Sequence, residues 1–104
     1  MKFEVHVDGS TTTIALLERK IDSSIASELK GEFLIICKPK TTTLVVDLAK
    51  VEFCDSSGLS ALLIADRKMK EHGGKVKLVK VNKKVASLIH ISMLDHVFGL
   101  ERES

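Results

Sequence analysis

Tryptophan and tyrosine are absent from the 104 residues, and Phe3, Phe33, Phe53 and Phe98 are the only aromatics. A core built from this chain is therefore aliphatic. Base-stacking platforms for single-stranded nucleic acid are nearly absent as well. Proline occurs once, as Pro39, and cysteine twice, as Cys37 and Cys54. Two cysteines without framework spacing do not make a disulfide scaffold. Cys37 follows the apolar run Phe33-Leu34-Ile35-Ile36 and Cys54 follows Phe53, so both read as buried, reduced thiols of a cytoplasmic protein. No apolar run approaches the ~20 residues a membrane-spanning helix needs, so no membrane insertion is expected. The first residues lack a basic region followed by an apolar core, and no secretory leader is expected.

Net charge is only +2, too small to define a partner, but it is unevenly spread. Eight Lys and Arg residues lie between Arg67 and Lys84 against Glu71 alone, so the rest of the chain is net acidic. A solvated strand face with helix ends accounts for this. The alternative is a surface for an acidic partner or nucleic acid, which the salt dependence of DNA binding would reveal and which the missing aromatics disfavour. We expect no nucleic-acid partner. The chain length and the globular balance of 44% hydrophobic and 29% charged residues fit one domain spanning 1–104.

Hydrophobic periodicity orders the elements. Phe3 to Val7 alternates with period two, Asp8-Gly9 signals a hairpin turn, and Thr12 to Leu17 reads as the returning strand. Asp22-Ser23-Ser24 supplies N-cap chemistry for a helix whose stripe is Ile25, Ala26, Leu29, Phe33 and Ile36, ended by Pro39. Thr43 to Leu48 suits a strand buried on both faces. Val51 to Cys54 leads into Asp55-Ser56-Ser57-Gly58. From Leu59 to His72 run good helix formers, stopped by Gly73-Gly74. Lys75 to Val81 is the next strand, Asn82 caps a third helix with Val85, Leu88 and Ile89 inward, and Val97-Phe98 suits a last short strand before the Glu101 to Ser104 tail. The order β-β-α-β-α-β-α predicts an α/β domain: a mixed sheet, antiparallel at the first hairpin and parallel across each helix, with helices packed on it.

The most informative stretch is Val51 to Leu59. A strand there delivers one acid, two hydroxyls and a glycine to the start of a long helix. The first amides of a helix are unpaired and carry roughly half a positive charge. They favour an oxyanion, so a hydroxyl at that point can take a phosphate without melting its helix. Asp-Ser-Ser ahead of a helix is equally ordinary capping. On a helical wheel with Gly58, Leu62, Ala65 and Met69 toward the sheet, Leu63 and Ile64 turn toward Ser60, Arg67 and Glu71, either as an apolar docking patch or as positions covered by neighbouring chain.

Cys54-Asp55-Ser56-Ser57-Gly58-Leu59, followed by Gly73-Gly74, resembles the signature of the STAS domain, the family named for sulfate transporters and anti-sigma factor antagonists. Ile21-Asp22, Ala26 and Leu29 resemble its second motif, and Leu44 to Leu48, Lys75 to Leu78 and Val85 to Phe98 fall in matching order. Stand-alone members act as anti-sigma factor antagonists in bacteria. The resemblance implies a cytoplasmic, non-enzymatic, phosphorylation-gated binding switch in transcription regulation. It implies Ser56 as the phosphorylated residue, with Ser57 as second choice, and a partner face including Asp22, Asp55, Ser57 and Gly58, to which the helical wheel adds Leu63 and Ile64. The implied partners are an anti-sigma factor with serine kinase activity and a serine phosphatase. No cofactor is implied for this chain. Arg19-Lys20 departs from the Gly-Glu usual in the family. The other reading is a non-phosphorylated STAS scaffold within a transport or signalling complex.

Enzymatic chemistry finds little support. No Gly-x-Ser-x-Gly elbow surrounds Ser56. His6, His72, His90 and His96 include no i, i+4 pair with a third ligand nearby, and no metal site is expected. His72, just before Gly73, reads as a helix C-terminal cation or hydrogen-bond donor.

Overall fold

Gly9 and Ser10 turn the chain between β1 (Phe3–Asp8) and β2 (Thr11–Leu16). Gly9 has φ +62°, a left-handed value at the first position of a two-residue hairpin loop, where glycine carries no Cβ penalty. The computed structural model describes residues 1–92 and 99–102. After β2 come β3 (Lys20–Ile21), α1 (Ser23–Ile36), β4 (Thr43–Asp47), β5 (Phe53–Cys54), α2 (Ser56–Lys70), β6 (Lys75–Val81), α3 (Lys83–Ile91) and β7 (Gly99–Arg102).

Among the described residues the main sheet has the strand order β1-β2-β4-β6-β7. The hairpin is antiparallel, and the β2·β4, β4·β6 and β6·β7 pairs, each joined through a helix, are parallel. This is the mixed sheet with packed helices that the element order predicts. Register places Ile14, Val46 and Leu78 in one row and Thr12, Leu44 and Val76 in the next, all buried. Apart from Thr12, those side chains join Leu29 and Phe33 of α1, Leu62, Ala65 and Met69 of α2, and Val85 and Ile89 of α3 in one cluster. Each fully buried aliphatic side chain contributes about 1.5–3 kcal/mol. That burial, rather than intrinsic propensity, holds the helices in place.

One expectation differs from the structure. β4 is fully buried on one face only: Leu44 and Val46 are enclosed, while Thr43, Val45 and Asp47 are half-buried. The buried faces of all three helices join the sheet on the Leu44 and Val46 side, which leaves the other side partly open. The last described strand is Gly99–Arg102, and the strand expected at Val97-Phe98 lies outside the described residues. β3, for which the sequence sets no expectation, pairs in parallel with β5 as a separate two-stranded sheet. Two-residue strands are too short to leave a period in sequence.

Cys37 closes α1, its N–H donating to the Phe33 carbonyl at 3.0 Å. Gly73, at φ +80°, ends α2, and the Gly74 N–H donates to the Met69 carbonyl at 2.8 Å. His72 Nε2–H donates to the Thr41 carbonyl (2.8 Å), fastening that end of α2 to the entry of β4. Both cysteines are buried and unbridged. Burial pushes the Cys37 thiol up to about 11, against a small opposing pull from Lys68. Burial, helped by the Asp55 charge, pushes Cys54 up to about 12. Reactivity needs the thiolate, so neither thiol should react with a thiol-exchange reagent at neutral pH until the chain unfolds. Rapid labelling of both in the native state would contradict this placement.

Candidate functional site at the paired helix starts

β3 and β5 run side by side in parallel, with Lys20 opposite Phe53 and Ile21 opposite Cys54. Each strand is followed at once by an aspartate that caps a helix. The Glu52 and Phe53 N–H groups both donate to the Arg19 carbonyl (2.7 and 3.1 Å), and the Asp55 N–H donates to the Ile21 carbonyl (3.1 Å). The starts of α1 and α2 are thereby held next to each other, at the same end of the same small sheet.

Asp22 caps α1 from an extended backbone. Its Oδ1 accepts from the Ser24 N–H at 3.0 Å and from the Ser24 hydroxyl. Those hydrogen bonds, the hydroxyl first, hold its carboxyl below the usual carboxylate range. Asp55 caps α2 in the same way, its Oδ1 accepting from the Gly58 N–H at 2.9 Å. Each cap satisfies an amide that the first turn leaves unpaired.

Gly58 explains why the second helix starts where it does. A Cβ there would collide with the Ile21 carbonyl oxygen and stand 2.6 Å from Cys54 Sγ and 2.9 Å from Ile21 Cγ2. The first turn of α2 therefore lies directly on β3, an approach open only to glycine. Gly58 is buried, so the expectation that it meets a partner directly differs from the structure. Its part is to fix the depth of its neighbours. Ser56, the first helical residue, is exposed, and Ser57 is half-buried. Leu63 and Ile64 are half-buried, Leu63 against the core, so less of them is open than the helical wheel suggests.

Asp22 and Asp55 line one depression of about 540 Å³ together with Arg19, Lys20, Ser23, Glu52, Phe53 and Lys84. Arg19 is ion-paired with Glu52, its Nε 2.5 Å from Oε2. That hydrogen bond first, then the Arg19 charge, holds the Glu52 carboxyl down. Asn82 draws Lys84 in. It donates Nδ2–H to the Val51 carbonyl (2.8 Å) and accepts the Val85 N–H (2.8 Å), capping α3 beside the β5 entry.

Phe53, Glu52 and Lys84 line the site without any sequence motif that marks them for it. Phe53 is an aromatic side chain 41% exposed at the site. Alternation against buried Cys54 was the available signal, since successive side chains on a strand point to opposite faces. The basic stretch from Arg67 to Lys84 disperses over the end of α2, β6 and the start of α3. Lys68 pairs with Glu71, Lys70 with Asp66 and Lys80 with Asp47.

A family model described as "Mlab, STAS domain" matches residues 4–101. The chain belongs to the STAS domain family. Solved structures superpose on nearly all of this STAS domain. The anti-sigma factor antagonist SpoIIAA in its unphosphorylated form is 20% identical and has a TM-score of 0.81, covering 98% of this chain and 90% of that one. The phosphorylated form of Bacillus SpoIIAA is 19% identical with a TM-score of 0.73, over 98% and 93%. An anti-sigma factor antagonist from Mycobacterium paratuberculosis is 25% identical with a TM-score of 0.83, over 96% and 84%. A STAS domain protein from Planctomyces limnophilus is 19% identical with a TM-score of 0.86, over 96% and 88%. Among the described residues no helix is long and apolar enough to cross a membrane.

Two measurements check the geometry of this STAS site. Gly58→Ala should destabilise the fold by roughly 1–3 kcal/mol or more, as overpacking against backbone does. Gly31→Ala, inside α1 with nothing within 4 Å of the new methyl, should instead stabilise it by roughly 0.5–1 kcal/mol. Denaturant melts giving both variants the same sign would contradict the Gly58 contact.

The Asp22 and Glu52 carboxyls lie below their ordinary values in the folded state. Their contribution to stability is therefore present above the ordinary carboxylate range and lost as pH falls through their lowered values. Asp22→Asn should flatten the acid limb of a stability-against-pH curve while lowering the plateau at neutral pH. An unchanged acid limb would contradict the cap.

Proposed function

We propose that this STAS domain is an anti-sigma factor antagonist: a binding switch that engages a serine-kinase anti-sigma factor when unphosphorylated and is released when Ser56 is phosphorylated. The observation that carries the reading is the placement of Ser56. It is exposed, follows the capping Asp55 directly, and stands at a helix start locked in place by the Gly58 contact. The structural likeness to an anti-sigma factor antagonist solved in both unphosphorylated and phosphorylated forms supports it.

In this reading the partner docks over Asp22, Asp55 and Ser57, with Leu63 and Ile64 at the helix side and Phe53 as an apolar anchor. The kinase brings its own nucleotide and metal. Phosphate on the Ser56 oxygen adds about −1.5 to −2 charges. The free amides of the first turn favour that charge, by about 0.3–1 kcal/mol for a surface anion, so α2 keeps its shape. The partner instead meets a dianion where it met a hydroxyl. Burying that charge without a matched cation costs several kcal/mol, and each 1.4 kcal/mol is about tenfold in affinity. Release then needs no change of fold. A serine phosphatase restores the binding form.

A second reading is a STAS scaffold that holds a complex together without phosphorylation. Two observations favour it: the "Mlab" description of the matching family model, and Arg19 with Lys20 on the rim of the depression, where the family resemblance puts Gly-Glu. The two readings part on one experiment. Mass spectrometry of the digested chain recovered from its own cells should find phosphate on Ser56, and calorimetry with the captured partner should show Ser56→Ala binding and Ser56→Asp binding at least several-fold more weakly. Equal affinities for the two variants, with no phosphate on Ser56, would favour the scaffold.

A further inference from the structure

β1 is an edge strand. It stands first in the sheet order and pairs with β2 alone among the described residues. The register on β2, with the Leu17 N–H donating to the Lys2 carbonyl at 2.9 Å, fixes how its backbone is used. Residues in an antiparallel ladder alternate between those whose N–H and C=O face the partner strand and those whose groups face away. Lys2, Glu4, His6 and Asp8 face β2. The N–H and C=O groups of Phe3, Val5 and Val7 therefore face outward along the free edge. Such an edge is a template for another strand unless proline, a bulge or an inward-pointing charge blunts it. Phe3–Asp8 has none of these.

The side chains of this strand are also unfinished on the helix side. Phe3, Val5 and Val7 share a face with Leu16, Ile14 and Thr12. Val7 is nevertheless 64% exposed, and Val5 is exposed as well. Exposed Ile35 of α1 lies with both valines along a groove of about 330 Å³. Glu4, His6 and Asp8 occupy the opposite face and are exposed.

We propose that β1 is the docking surface for a second copy of this chain, the two β1 strands pairing antiparallel about a two-fold axis through Val5. The argument is complementarity. An axis between two residues would set core-face side chains against solvent-face ones, so the axis passes through a residue. Through Glu4, it sets Glu4 against Glu4 and Lys2 against His6. Through His6, it sets Glu4 against Asp8. Through Val5, Val5 meets Val5 and Phe3 meets Val7 on the helix side, while Glu4 meets His6 and Lys2 meets Asp8 on the other. Each carboxylate then faces a donor, the imidazole N–H or the lysine ammonium, as favourable cross-strand pairs require. The outward backbone groups are matched too. Val5 bonds Val5, and Phe3 bonds Val7 on both sides of the axis. The interface is isologous and closed, so it yields a dimer and not a fibre. A strand from an unrelated protein has no reason to be read in this self-complementary order. No residue proposed for the Ser56 switch lies on β1, so the inference does not depend on that reading.

Sedimentation velocity on the full chain over a concentration series tests it. We expect a reversible monomer–dimer equilibrium. His6→Glu, which opposes Glu4 with a second carboxylate, should raise the dimer dissociation constant by about tenfold or more. Glu4→Lys, which opposes His6 and adds a second ammonium near Lys2, should do the same. The double variant Glu4→Lys/His6→Glu should return to within about threefold of the parent, because the swapped charges meet again across the axis. Both positions are exposed, and thermal melts matching the parent would show each variant folded. A chain that stays monomeric throughout, a dimer indifferent to both single substitutions, or a double variant without rescue would each overturn the proposal.

Discussion

The contact between the first turn of α2 and β3 governs the candidate site of this molecule. At position 58 backbone lies against backbone, with the Ile21 carbonyl where a Cβ would stand. That closeness fixes the depth of α2 relative to the two-stranded sheet. It buries the backbone at Gly58 and leaves Ser56 outside, one helical step after the capping carboxylate. It also sets the two capping aspartates next to each other. Asp22 and Asp55 lie 33 positions apart in the chain, yet they follow strands paired in register, Ile21 beside Cys54. A side chain at 58 would separate the helix from the strand and move the hydroxyl with it.

The electrostatics of the site follow from this pairing. Two helix N-termini side by side would present two positive ends. Asp22 and Asp55 each use an oxygen to cap their own helix, so these carboxylates already serve local structure. Arg19 and Glu52 form an exposed pair, which contributes little to stability because both groups remain in water. The rim is consequently mixed in charge, with Lys20 and Lys84 beside the aspartates. Arg19, Lys20 and Lys84 balance Asp22, Glu52 and Asp55 around the depression.

The opposite arrangement holds at the free side of the sheet. There the helices stop short, and β1 keeps its outward backbone and two valines uncovered. Ile35 and Ile36 of α1 line one groove together with Val5 and Val7 of β1. The core is complete across β2, β4 and β6, where both neighbours of each strand are present, and thins at the hairpin edge.

Much of this architecture is legible in the sequence because it rests on local rules. The period of two in Phe3 to Val7, the stripe from Ile25 to Ile36, the Asp-Ser-Ser caps and the glycine stops each act within a few residues, and the structure has an element at each. The parallel and antiparallel senses follow from which strands a helix joins. The Ser56 candidate was legible for the same reason, since a cap and a helix start are neighbours in sequence. Tertiary structure alone decided the rest. β3 and β5 are too short to show a period, and their pairing brings Arg19 to Glu52 across 33 positions. Phe53 became a site residue only when Cys54 turned inward, and Lys84 only when Asn82 bound the Val51 carbonyl. Residue pattern sets which face of an element is apolar; which faces then meet, and which stay uncovered, depends on close packing among segments far apart in the chain.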